Sequence, residues 1–167
     1  FRKFKEKLLI QPSRKSKQKV TKSLSRTIKY YHEASQELLI IKLNQITRGW
    51  AEYHHCVCAK KTYALIDHRL WEMLWKWAKR RHPRKGRKWI KNRYWHPKGN
   101  REWSFRTDRA ILYQMMDMPI VRIRSLDLKK NPFLDSDYFE RRRKQHKKDK
   151  ETAYFSSTAA LSGYYAL

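Results

Sequence analysis

The chain has 167 residues, with 41 Lys and Arg against 15 Asp and Glu, for a formal net charge of +26 at pH 7. Charge of that size opposes compaction and calls for a polyanionic partner. A share of 40% hydrophobic and 14% aromatic residues excludes a purely disordered basic tail, and no apolar run approaches the roughly 20 residues needed to span a bilayer.

No signal peptide is visible, and the first residue, Phe1, reads as an entry into a segment of a longer protein. "FRKFKEKLLIQP" reads as a short extended piece with Leu8, Leu9 and Ile10 as its apolar run, ended by Pro12. Ser13 can cap a first helix in which Val20, Leu24, Ile28 and Tyr31 share one face among lysines and arginines. A second helix is expected over 35–58. Its seam would be Leu39, Leu43, Ile46, Trp50, Tyr53 and Val57, which step by four and three. Gly49 beside that seam costs about 1 kcal/mol relative to Ala, so a close approach by another backbone is expected there. Arg48 points away, toward Glu52 one turn later. Cys56 and Cys58, two apart, face nearly opposite sides of a helix and cannot easily grip one metal. His54 with Cys58 has better spacing but no second pair nearby, so no metal site is expected.

The third helix is expected from Thr62 to Arg81. Tyr63, Ile66, Leu70, Trp71, Leu74, Trp75, Trp77 and Ala78 cover more than half its circumference, which predicts burial. Its polar strip holds Arg69, Glu72, Lys76, Lys79 and Arg80. Asp67 falls inside the apolar arc and therefore needs an Arg, Lys or backbone amide as partner. The residue before Pro83 avoids the helical region, so the helix stops at His82. Beyond it, "NRYWHPKGNREWSFRT" reads as two short strands around a turn at 97–100. "PIVRIRSL" reads as a strand with Val121 and Ile123 on one face and Arg122 and Arg124 on the other. Glu140 to Lys150 reads as a solvated basic helix or tail. From Glu151 to Leu167 there is no Lys or Arg, and this stretch looks foreign or truncated. The fold class expected is mainly α: a three-helix bundle followed by a small basic region with short β-strands.

Trp75 to Trp95, "WKWAKRRHPRKGRKWIKNRYW", holds four tryptophans, and no acid occurs between Glu72 and Glu102. Helical phase makes Trp75 and Trp77 core. The cations that follow would ordinarily be a solvated loop. Here they adjoin Trp89, Tyr94 and Trp95, whose phase is not obviously core. Arginine forks pair with phosphates and exposed rings stack on unpaired bases, so nucleic acid is the expected partner.

The order of residues narrows this. Leu43-Asn44, Arg48-Gly49-Trp50 with Tyr53 three residues on, Lys61-Thr62-Tyr63 with Ile66-Asp67, the tryptophan pair, Arg80-Arg81-His82-Pro83-x-Lys85, and Trp89-Ile90 with Tyr94 follow one another from Leu43 to Tyr94. Together they resemble domain X, the maturase-specific region of group II intron-encoded proteins. "KLLIQPSRKSKQKV" is similar to the entry into the reverse-transcriptase thumb, and "NPFLDSDYFERRR" to the segment leading into the DNA-binding region. The resemblance implies residues 1–34 as the end of the thumb, 35–95 as domain X, 96–150 as a basic extension, and 151–167 as a tail of unclear origin. It implies binding to the group II intron RNA, promotion of its splicing and, in the full protein, retrohoming. Arg48, Lys60, Lys61, Arg80, Arg81, Lys85 and Lys88 are the RNA contacts it implies. The basic aromatic reading adds Lys76, Arg84, Arg87, Trp89, Lys91 and Arg93. Gly49, Trp50, Tyr53, Asp67, Trp75 and Trp77 are expected to be structural.

The family's polymerase holds two metals with a Y-x-D-D motif, and this chain has no Asp-Asp pair. The palm is therefore expected upstream. No catalytic residue and no cofactor are expected in this chain, with Mg²⁺ confined to that palm and to the RNA. Nothing resembles the family's endonuclease cysteine pairs. Target DNA is a further expected partner, through the basic C-terminal region; a membrane is not. An intracellular setting, bacterial cytoplasm or organelle, is expected. Two alternatives carry different functions: a thumb segment that only grips template and primer, and a general basic structural component of a ribonucleoprotein.

Overall fold

The computed structural model describes residues 2–4, 7–99, 101–121 and 126–158, with side chains between Leu9 and Ala153. The first segment forms two strands, β1 (Arg2–Phe4) and β2 (Lys7–Leu9), paired antiparallel with Arg2 opposite Leu9. Helix α1 (Arg14–Tyr30) starts where Ser13 Oγ accepts the Ser16 amide at 3.1 Å. It buries Val20, Leu24 and Ile28, the stripe expected from their spacing. Ser35 Oγ caps α2 (Gln36–His54) in the same way, accepting the Leu38 amide.

In α2 the buried stripe lies elsewhere than expected. It comprises Leu39, Ile40, Leu43, Thr47, Ala51 and His54. At about 100° per residue this arc is centred roughly 60° beyond Leu39, whereas the alternating four-three series drifts the other way. Tyr53 therefore stands 78% exposed, and Ile46 and Trp50 lie at the edge of the core. Gly49 is on the outer side; a Cβ there would meet nothing within 4 Å, so no backbone approaches it. The helix also ends at His54, short of Cys58.

Helix α3 (Lys60–Arg81) buries Thr62, Tyr63, Ile66, Leu70, Leu74, Trp77 and Ala78. Its Tyr63 hydroxyl donates to the Ala51 carbonyl at 2.7 Å, tying it to α2. Past His82 the chain forms another helix, α4 (Arg87–Tyr94), where a loop and the start of a strand were expected. Gly86 opens it, and Ile90 and Tyr94, one turn apart, bury its inner face. That two-residue stripe is too short to stand out among four Lys and Arg. Strands β3 (Trp95–Lys98) and β4 (Arg101–Phe105) follow as a hairpin, Trp95 opposite Phe105, but Pro97 and Lys98, expected in its turn, belong to β3, with Lys98 paired to Arg101. Gly99, with φ of 53°, supplies the left-handed turn residue.

Residues 106–121 wrap back over the bundle as irregular chain with one 3₁₀ turn, Met115–Asp117. The strand expected over "PIVRIRSL" has Arg122, Ile123 and Arg124 outside the described residues. Its Val121 is buried in irregular backbone and donates its amide to the His55 carbonyl. Tyr94, Trp95, Phe105, Tyr113, Met115 and Met118 join the same core as the bundle, so the boundary expected at 95 falls inside it. Helix α5 (Ser136–Thr158) is the expected solvated basic helix, and it continues without a break past Lys150.

Candidate nucleic-acid interface

Helix α3 has 22 residues and so spans about 33 Å. The expected RNA contacts divide between its two ends. At the N-terminal end, Lys60 Nζ donates to the Met116 carbonyl at 2.6 Å. Loss of hydration lowers its pKa, against a raising influence from Asp117. Arg48 places its guanidinium 5.3 Å from the Tyr113 ring centre. Lys61 alone of this group is exposed with no hydrogen bond or ion pair among the described residues.

Motif residues at this end hold the wrap. The Asp67 carboxylate accepts the Met115 and Met116 amides at 3.1 and 3.0 Å, the backbone partners its place in the apolar arc required. Burial nevertheless pushes its pKa up to about 6, because the two amide bonds offset only part of the lost hydration. Asn44 donates to the Ile111 carbonyl and accepts the Tyr113 amide. Gln36 donates to the carbonyls of Tyr94 and Arg106. Arg101 and Asp117 close the wrap with a two-pronged ion pair at 2.8 and 2.5 Å.

The C-terminal end is built differently. Arg80, Arg84, Arg87, Lys88 and Arg93 are exposed and make no hydrogen bond or ion pair among the described residues. They sit on the last turn of α3, the turn after it and helix α4, forming one basic corner. Lys85 lies 5.4 Å from the Trp89 ring centre, and Trp89, 39% exposed, packs edge-on against His82. Arg81 is exposed but occupied: it covers Trp77 at 4.7 Å and donates to the Ala34 and Glu33 carbonyls, tying the α1–α2 turn to α3. Lys76 is exposed on the outer side of α3. Two residues outside the sequence expectation, Lys29 and His32, join Arg80, Arg81 and the acid Glu33 around a groove floored by Ile28, Met73 and Trp77. They come from the end of α1, so linear spacing gave no sign of them.

The tryptophans also divide. Trp77 is 4% exposed, with Tyr94 and Phe105 edge-on to it. Trp75 is only half-buried; it lies nearly parallel to Trp71 at 5.7 Å and beside Trp103 and Trp95. Its expected core position holds in part, because its outer edge faces solvent. Lys91 sits 4.8 Å from the Trp103 ring centre. Trp50 supports the far end of the bundle: its indole donates to Ser16 Oγ at 3.2 Å, where His54 Nε2 also bonds. Burial lowers the His54 pKa, favouring the neutral ring.

Cys56 and Cys58 are free thiols, and among the described residues no three His, Cys, Asp or Glu side chains are grouped to hold a metal ion. No helix among them is long and apolar enough to cross a membrane.

No curated relative matches the chain. Residues 14–95 match the family model described as the group II intron, maturase-specific domain. The match opens with α1 and closes at Trp95, enclosing the bundle, the basic corner and every motif residue whose hydrogen bonds are described above. The chain therefore carries, from Arg14 to Trp95, a group II intron maturase-specific domain.

Proposed function

We propose that this chain binds group II intron RNA through the basic corner and promotes the intron's splicing, and that within the full protein it supports retrohoming. One observation carries the reading: inside a maturase-specific domain, five cations of α3, α4 and their turn face solvent together, unoccupied by any acid or carbonyl among the described residues. Arginine and lysine so placed pair with phosphates without first breaking an internal bond. The chain's own part in this proposal is recognition; polymerisation and its Mg²⁺ belong to carboxylate clusters elsewhere in the protein. Helix α5, with Arg141, Arg142, Arg143, Lys144, Lys147 and Lys148 on six of eight consecutive positions, is the proposed contact to target DNA.

The experiment is a salt titration of RNA affinity beside nucleotide-free splicing of precursor RNA. With roughly six phosphates neutralised, log K falls against log salt with a slope near −4 to −5. A shallow slope removes the electrostatic account. Tight binding that never accelerates splicing favours the thumb-like alternative, in which the segment only grips template and primer.

A further inference from the structure

We propose that the face of α3 opposite the basic corner's groove is a stacking platform for an unpaired RNA base, formed by Trp71, Trp75 and Trp103. The proposal deepens the RNA-binding reading above and rests on it.

Three rings follow one another along this face. His68 and Trp71 lie within 12° of parallel at 6.4 Å between centres, and Trp71 and Trp75 within 14° at 5.7 Å. Trp103, from β4, stands against the pair at 6.1 and 6.2 Å and at steep angles. Beneath them Trp95, 2% exposed, ties the group to the core and fixes its geometry. Fixed rings are what a stacking surface requires, since little side-chain entropy remains to be lost on binding.

The upper surface is open. Trp103 is 41% exposed, His68 is exposed, and Trp71 and Trp75 are half-buried. A base fits this chemistry better than an apolar protein partner because of the rim. Lys91 already rests against the Trp103 ring, the position a backbone phosphate beside a stacked base would meet. Lys79, one helical turn beyond Trp75, is exposed on the same row. Of the acids near the rings, Glu72 lies 3.6 Å from His68, and Asp67, which shares a small cavity with Trp71 and Trp103, is engaged by the Met115 and Met116 amides. Flat rings with flanking cations form the recurring arrangement for single strands.

The test uses the full-length protein with two probes: a single-stranded oligoribonucleotide carrying one 2-aminopurine, and a fully paired RNA duplex of equal length. The single strand is expected to bind with quenched 2-aminopurine emission. Trp103→Ala should weaken that binding by about 5- to 150-fold, the range for one lost stacked base. Its duplex affinity and melting temperature should be unchanged, and Trp103→Tyr should restore most of the loss. Equal binding of both probes without quenching overturns the platform and leaves the RNA reading standing. A Trp103→Ala protein that melts early, with both affinities reduced and no rescue by Tyr, makes the ring structural and also overturns it. So does a face that RNA leaves unaltered while Trp103→Ala changes self-association in sedimentation, which assigns it to a protein partner. Failure of the wild-type protein to bind either probe sinks the RNA-binding reading itself.

Discussion

The two ends of α3 carry similar residues and, Lys61 and Arg81 apart, use them in opposite ways. At the N-terminal end Lys60, Asp67 and the neighbouring Asn44 reach backbone groups of the segment 111–116. At the C-terminal end Arg80, Arg84, Arg87 and Lys88 reach none among the described residues. A charged side chain with an internal acceptor must give up that bond before it can serve a ligand, and the acceptor it abandons is then left to water or to nothing. Capacity for a polyanion therefore concentrates at one end of the helix, although lysine and arginine occur at both.

The sharpest contrast is between the residues that hold the ends together and those that cover them. Trp77→Ala should destabilise the fold by about 3–5 kcal/mol, since it removes a ring with almost no exposure from among Tyr94 and Phe105. Trp89→Ala, on the basic corner, should leave the melting temperature nearly unchanged. Denaturant melts of both variants measure this, and equal melting points would erase the distinction between core and corner.

Asp67→Ala comes next. It leaves the Met115 and Met116 amides without their acceptor, which should cost about 2–4 kcal/mol. The same carboxyl gives a pH signature. Its folded pKa of about 6 lies above the ordinary 3.8, so the folded chain holds this proton more tightly than the unfolded one. The associated stability is complete below about pH 4 and is lost as pH rises through about 6. The difference between wild-type and Asp67→Ala stabilities should therefore fall across that window. A difference that rises with pH would mean that the amide bonds outweigh burial.

The smallest effects separate the two kinds of cation directly. Lys60→Ala should cost about 1 kcal/mol in stability through loss of its bond to Met116, with RNA affinity little altered. Arg84→Ala with Lys88→Ala should do the reverse: an unchanged melt, affinity lower by about tenfold or more, and a salt slope shallower by about 2. If Lys60→Ala lowers affinity without touching stability, the binding surface extends along the whole of α3.

The bundle was readable because α1 and α3 carry long apolar series at helical spacing and end at a serine cap and at His82-Pro83. The face of α2 was harder: Ile40, Thr47 and Ala51 complete its buried arc, and small or hydroxylated residues weigh little in an apolar pattern. Helix α4 was hidden by its brevity and charge. The basic corner was legible as an acid-free run, but the occupation of Arg81 and Lys60 by backbone carbonyls was not, since both carbonyls belong to loops more than 40 residues away. The half-exposure of Trp71 and Trp75 escaped for a related reason. An apolar arc wider than half a helix shows that much is covered, without showing which edge is left open.

The hold of Gln36, Asn44 and Asp67 on the chain beyond Trp95 has a consequence for how the molecule opens. The match to the maturase-specific domain ends at residue 95, yet residues within that stretch supply the partners for backbone groups of Arg106, Ile111, Tyr113, Met115 and Met116. The wrap is irregular in shape but not independent in stability. Its amides at 113, 115 and 116 donate to side chains of the helices, and in hydrogen exchange they should open together with the bundle rather than on the timescale of a surface loop. The end of the matched domain and the edge of the folding unit are two different places in this chain.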